Sequence, residues 1–490
     1  MKLSGVHKAL LITSLFCVFH NGYAQNQANL SDETSLDEGS VASEQEPEPQ
    51  RESVRVLHIE RPIPFSALDE AAQLSFSEQF ASAAAAPPPK PVNSAYSELS
   101  LEQQLYLSRL EDIESFDQIV EALEIDGGAW SVQIAEELSE LGDLLQAQGE
   151  YERANEIYDR AVHINRVNNG LFSTSQVPLV EKIVDGHVAL GQWQLADDRK
   201  QYAFYVQTRA FSIDDPRMID VFDNLARWNI ATFYRGIDEN PGPRLLQTYL
   251  LYQAATESVA THFGTQDPRY IDLLRKEVGA ADMLNRYSLP GEAIGTHMNP
   301  ELRLTSEFVG ESTRPQGRNN GGERALKRII DFYRDPKRAQ TDENKIALAN
   351  AVAELGDWYL INDRRQAALN TYEEAYELLA NEDNSDALLQ QMFSEVVFIP
   401  TYSNFNEQRM EAYGVGPDTG SRMGYVDIAF DVNQYGRLNN FEILQLFPDD
   451  IARADIQVLN SIRSTLVRPK IKEGKTVSSD MERFRFNFWY

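Results

Sequence analysis

The spacing of apolar residues changes along the chain and divides it into segments. From about residue 98 to 390 the period is helical: Leu101, Leu105, Leu110, Ile113, Ile119, Val120 and Leu123 recur at helical spacing, and Gly127-Gly128 closes that run. After 390 the pattern alternates. Phe393 to Pro400 is β-prone, and Val426, Ile428, Phe430 and Val432 alternate with Asp427 and Asp431, which predicts a half-buried strand. Asn433-Gln434-Tyr435-Gly436 predicts a hairpin loop, with a second strand at about 438–446. Asp449-Asp450 can cap a helix whose Ala454, Val458, Leu459, Ile462 and Leu466 share one face, and Arg468-Pro469 stops it. Phe484, Phe486 and Phe488 then alternate with Arg483, Arg485 and Asn487 in a last strand. The order is β-β-α-β, a compact α+β module.

The N-terminal segment follows neither period. Lys2 and Lys8 precede an apolar stretch from Ala9 to Phe19, and Gly22-Tyr23-Ala24 offers small residues at the two positions that signal peptidase reads. A cleaved signal peptide over 1–24 is expected, since that stretch is shorter than the roughly 20 residues a bilayer needs. Residues 25–95 combine acidic runs such as Glu44-Gln45-Glu46-Pro47-Glu48-Pro49 with few large apolar side chains, the composition of a disordered leader. Val54 to Phe65 interrupts it with alternating apolar residues, readable as a short strand, a peptide docking site or a sticky patch in a linker. Pro87-Pro88-Pro89-Lys90-Pro91 predicts a polyproline II spacer.

Within the helical part, Leu141-Gly142-Asp143 followed by Ala154, Tyr158 and Ala161 recurs as Leu355-Gly356-Asp357 followed by Ala368, Tyr372 and Ala375. Small residues suit a close helix crossing (Gly142 against Ala154), while Leu141, Leu145 and Tyr158 fill the wider gaps. These two copies resemble the tetratricopeptide repeat (TPR). Fainter units lie between them: Leu190-Gly191-Gln192-Trp193 with Ala196, and Asp215-Pro216-Arg217 echoed by Asp267-Pro268-Arg269, each with a Pro expected in the first turn of a helix. Residues 303–323, with Asn319-Asn320-Gly321-Gly322, read as a flexible insertion.

Gly424 to Asn433, Gly436-Arg437, Leu459, Ile462-Arg463, Arg468-Pro469, Gly474, Val477 and Arg483-Phe484-Arg485-Phe486 together resemble the C-terminal domain of the TonB family of periplasmic energy transducers. The resemblance implies two strands, a helix and a third strand, and docking of an extended partner segment by strand addition. It makes Arg483, Phe484, Arg485 and Phe486 the candidate partner-binding strand.

The charge changes this picture in one respect. With 45 basic and 75 acidic residues the net charge is −30, which repels nucleic acid and anionic bilayers. Cys17 is the only cysteine and leaves with the signal, so thiol, disulfide and Cys-metal chemistry are not expected. No HExxH, Walker A, dinucleotide or G-x-S-x-G motif is present, and adjacent acids such as Asp197-Asp198 arise by chance in so acidic a chain. No catalytic residue, metal or cofactor is expected. On the inner helices of the two matched repeats, Asp143 and Asp357 stand where a carboxylate clamp would need cations, and would favour a cationic segment instead.

The expected fold class is therefore α plus (α+β). A signal peptide (1–24) and disordered acidic leader (25–95) precede a TPR-like α-solenoid (96–392), which carries a small TonB-like β-β-α-β domain (393–490). The expected role is an exported, non-enzymatic scaffold or adaptor of the Gram-negative periplasm, with protein partners that could include an outer-membrane protein. The alternative is a membrane-anchored TonB-type energy transducer, in contact with the membrane only through its N-terminus.

Overall fold

The computed structural model describes residues 52–68, most of 118–125, 130–287 and 320–490, apart from 337, 339, 340, 383, 403, 404, 417, 418 and 450. The expected signal peptide, the leader up to 51, the proline spacer, most of the run Leu101 to Leu123 and the insertion from 303 to 319 lie outside the described residues.

Among the described residues from Val132 to Phe393 there are eleven helices: α1 Val132–Ala147, α2 Tyr151–Asn169, α3 Val177–Ala189, α4 Trp193–Ala210, α5 Met218–Arg235, α6 Gly242–His262, α7 Pro268–Tyr287, α8 Gly321–Arg334, α9 Asp342–Ile361, α10 Arg365–Ala380 and α11 Ser385–Phe393. Each packs on the helix before it and the helix after it, which makes a TPR-like solenoid of helical hairpins. One turn recurs in three of them. The amide of Glu150 bonds to the carbonyl of Leu145, that of Gln192 to His187 and that of Arg364 to Tyr359, at 2.8–2.9 Å. The residue that lets the chain reverse is left-handed in each case: Gly149 (φ 82°), Gly191 (φ 72°) and, in the third, Asp363 (φ 59°).

The two matched repeats are the hairpins α1–α2 and α9–α10, but the small residue works differently from the expectation. Gly142 faces the ring of Tyr158, and Gly356 that of Tyr372; a Cβ at either glycine would overlap the ring. The glycine clears a path by which the tyrosine hydroxyl reaches the neighbouring aspartate, 2.6 Å to Asp143 and 2.8 Å to Asp357. Gly321 and Gly322, expected in a loop, instead form the first turn of α8, where a side chain would collide with Tyr249 and Trp358. Pro268 opens α7 as expected, whereas Pro216 lies in the turn ahead of α5. Asp215 and Asp267 each accept from the main-chain amide and the guanidinium of the arginine two residues on.

After the solenoid come β4 Val397–Phe398, α12 Asn406–Tyr413, β5 Met423–Val432, β6 Leu438–Phe447, β7 Ile451–Ala452, α13 Ala454–Ile462, β8 Val467–Arg468, β9 Ile471–Lys472, β10 Lys475–Thr476 and β11 Ser479–Trp489. The main sheet runs β6-β5-β11, antiparallel throughout. Phe430, Phe484, Phe486 and Phe488 are buried in a core of their own with Val458 and Ile462 of α13. Strand β5 is buried on both faces rather than one, because Asp427 is paired across the ladder with Arg485. The helix starts later than expected. Asp449 lies in the turn ahead of β7, Arg453 is the residue before α13, and Leu466 falls beyond the end of the helix to pack on the solenoid core.

The leader holds the largest departure. Within the segment read as disordered, residues 52–68 form three short strands: β1 Glu52–Ser53, β2 His58–Ile59 and β3 Ile63–Pro64. Strands β2 and β3 pair antiparallel with β11, and β1 pairs parallel with β7. Alternating Val54, Val56 and Ile59 are too few to form a core alone, but they pack on the core beneath β11.

Candidate functional site

Strand β11 supplies four of the residues singled out from sequence. Phe484 and Phe486 point into the core, where Phe484 stacks on Phe430 at 5.5 Å and Phe398 meets Phe486 edge-on. Arg485 is buried; its Nε and Nη2 each donate to Asp427 at 2.8 Å, and its guanidinium lies 3.8 Å from the centre of the Tyr425 ring. Burial would weaken its charge, but the hydrogen bonds to Asp427 outweigh that and hold it protonated. Of the four, only Arg483 presents its side chain to solvent. The main chain of β11 is itself paired with the leader. Leu57 N bonds to Trp489 O and Glu60 N to Asn487 O, both at 2.9 Å.

Side chains lock the added segment in register. Gln457 of α13 brackets it, accepting from Val56 N at 3.0 Å and donating to Val54 O at 2.9 Å. Glu60 accepts from the Trp489 indole at 2.9 Å. His58 is 3 % exposed, and burial, reinforced by the charge of Arg409, lowers its pKa to about 4. The opposite edge of the sheet is different. Strand β6 has no further strand beside it among the described strands, and Ile443 and Leu444 are exposed on it.

The two repeat aspartates occupy equivalent places with different neighbours. Asp143 accepts from Tyr158 and also from Lys182 of α3, at 2.7 Å, with about half its side chain in solvent (51 %). Asp357 is fully buried. It accepts from Tyr372 at 2.8 Å, from Thr401 at 3.2 Å, and from Nε and Nη2 of Arg468 in β8 at 2.9 and 2.5 Å. The cation on each aspartate comes from this chain, and at Asp357 it comes from the C-terminal module. Burial and the Asp357 charge together push the Tyr372 phenol well above its ordinary range.

Arg468, Gln457 and His58 were not legible as site residues. Arg468 reads as a helix stop, and no local pattern marks an arginine destined for burial. Asp197, one of the adjacent acids, is structural: it accepts from Nη1 and Nη2 of Arg244 at 2.9 Å and from the Trp228 indole at 2.7 Å. Among the described residues no group of three or more His, Cys, Asp or Glu side chains could hold a metal ion, and no helix is long and apolar enough to cross a membrane.

No family model matches the chain. No curated protein matches it either. Solved structures that resemble it are TPR-like repeat proteins. BtubC (BKLC) from P. vanneervenii is 14% identical over 58% of this chain and 92% of its own, with a TM-score of 0.27. A protein described as a kinesin light chain with nearly identical TPR-like repeats, from Podosopora anserina, is 14% identical over 52% of this chain and 99% of its own, with a TM-score of 0.30. A variant of that kinesin light chain is 15% identical over 50% of this chain and 94% of its own, with a TM-score of 0.29. The assignment of helical hairpins rests on the contacts within this chain, described above.

Proposed function

We propose that this protein is a non-enzymatic scaffold of the Gram-negative cell envelope, exported to the periplasm. In this reading its solenoid is a rigid support and its C-terminal module docks extended segments of protein partners by strand addition. The observation that carries the reading is the leader itself: β11 takes up an extended segment of this chain through main-chain bonds, fixed in register by Gln457 and Glu60. Main-chain pairing supplies affinity with little sequence demand, and a few flanking side chains supply register. The leader then stands in for a partner until one displaces it. The alternative, a membrane-anchored energy transducer of the TonB type, would use the same edge.

The test uses the chain from residue 69 onward beside the chain from residue 25 onward, with a labelled peptide of residues 52–68. The shorter chain should bind the peptide saturably, and the longer chain about tenfold or more weaker, because its own leader competes at high effective concentration. Equal binding to both, or none to the shorter chain while its far-UV and thermal transitions are intact, would show that β11 does not accept strands in trans. N-terminal sequencing of the mature protein separates the two readings, since a chain beginning at Gln25 would have lost the Ala9 to Phe19 segment that the second reading uses as its anchor.

A further inference from the structure

Beside the leader ladder lies a cleft of about 690 Å3 that strand pairing does not use. The leader forms one wall through His58. Tyr234 of α5, Tyr287 of α7, Arg409 and Tyr413 of α12, and Asn460 of α13 form the others. Its volume falls within the roughly 300–1,000 Å3 of small-molecule sites.

Two nitrogens on this cleft are left over. His58 Nε2 and Arg409 Nε are buried without a hydrogen-bond partner. Such a group costs free energy unless something outside the chain satisfies it. Arg409 is short of partners in a second sense. Its Nη2 donates to Asn406 Oδ1 at 2.9 Å and weakly to Ile59 O at 3.4 Å, and among the described residues no carboxylate pairs with it. Glu60, also on the wall, is turned away to Trp489 and Asn487.

Three tyrosines form one side of the cleft, and polar Gln457, Asn460, Ser461 and Thr465 lie on the α13 side. The rings of Tyr234 and Tyr413 meet edge-on at 6.3 Å, the Tyr287 ring packs on Phe233 at 5.0 Å, and Tyr287 and Tyr413 are each roughly half exposed. Arg409 and Arg61 set against Glu60 leave one net positive charge on the cleft, beside an imidazole that is neutral near pH 7, and this matches a single negative charge. A phosphate dianion would bring a second negative charge that no further cation of the lining meets.

We propose that this cleft binds a small monocarboxylate with an aromatic or apolar body, its carboxylate on Arg409 Nε and His58 Nε2 and its body against Tyr234, Tyr287 and Tyr413. Because His58 belongs to the leader, such a ligand also fastens the leader to the module. This inference does not depend on strand exchange with a partner.

Calorimetric titration of the exported chain with phenylacetate tests it, with phenylacetamide and inorganic phosphate as comparators. Phenylacetate should bind at one site per chain, about tenfold or more tighter than either comparator, and should slow hydrogen exchange in residues 54–62. Arg409→Gln should weaken phenylacetate by about tenfold or more while leaving phenylacetamide unchanged. Equal affinity for acid and amide, stronger binding of phosphate, or undiminished binding by Arg409→Gln would overturn the proposal. Should that variant unfold, photolabelling of the unaltered chain with 4-benzoylbenzoate decides: adducts should fall on the peptides bearing Tyr234, Tyr287 or Tyr413, and adducts confined to other peptides would sink the assignment.

Discussion

The guanidinium of Arg468 lies fork to fork on the carboxylate of Asp357, 111 residues earlier in the chain, and both side chains are almost wholly withdrawn from water. One belongs to the C-terminal module and the other to the solenoid. Two charges taken out of water are tolerated only while each holds the other, so the pair fixes one docking geometry.

Removal of one partner should therefore cost more than removal of both. Asp357→Asn or Arg468→Met is expected to destabilise the chain by about 3–5 kcal/mol. The double variant Asp357→Leu/Arg468→Met should recover most of that. Urea unfolding of the three variants gives the comparison, and single variants with unchanged midpoints would mean that the pair does not hold the two parts together.

The repeat glycines make a second, graded prediction. Gly142→Ala and Gly356→Ala drive a methyl group into Tyr158 and Tyr372 and should each cost about 1–3 kcal/mol. Gly356 should be the worse, since displacing Tyr372 also loosens Asp357. At the turns the sign reverses. Asp363 holds a left-handed conformation that Gly149 and Gly191 occupy in the sister hairpins, so Asp363→Gly should stabilise by about 0.5–1 kcal/mol. Thermal melts of the three variants suffice, and a destabilising Asp363→Gly would contradict the turn assignment.

These positions show what was readable in the chain and what was not. The Gly-Asp pairs and the tyrosine fifteen residues on are local features with a fixed spacing, so the hairpins could be recognised from periodicity. The β-β-α-β order was legible for the same reason, since strand alternation is local. The partner of Asp357 was not, because nothing near Arg468 distinguishes it from a surface arginine. The leader strands were half legible: Val54 to Phe65 alternates, but its partner strand lies at the other end of the chain. The start of α13 was misread because Asp449-Asp450 has the chemistry of a cap without the position of one, and a short strand, β7, intervenes.

Acid should release the leader. His58 is buried uncharged, with its pKa lowered from 6.5 to about 4, so its contribution is present above the unfolded pKa and lost as pH falls between these values. At about pH 5 the penalty on leader docking is about 1–2 kcal/mol, reinforced by the neighbouring Arg409 charge. Hydrogen exchange of residues 54–62 should quicken on going from about pH 7 to about pH 5, after correction for intrinsic rates, and His58→Gln should abolish the difference. Protection that is flat with pH in the unaltered chain would rule this out.

Glu277 of α7 titrates in the other direction. It is 2 % exposed, and burial, only partly opposed by Arg328, raises its pKa to about 7. A raised acid favours the folded state below about pH 4.5 and withdraws that support as pH climbs toward 7. Glu277→Gln keeps the shape without the charge, so it should stabilise the chain by about 2–3 kcal/mol near pH 8 and by little near pH 4. Chemical denaturation at both pH values measures this; an equal effect at each would point to packing instead of charge.

The indole of Trp489 bonds to Glu60 across 429 residues of chain. The strand that leads and the strand that finishes are therefore neighbours, and everything between them is a loop closed by their ladder. During synthesis the leader emerges unpaired and must wait until β11 is complete, while the solenoid hairpins, whose contacts are local, can form as they appear. Closure of the sheet thus acts as a check on length: a chain that stops short of β11 would leave both the Phe430 core and the leader without their covering strand.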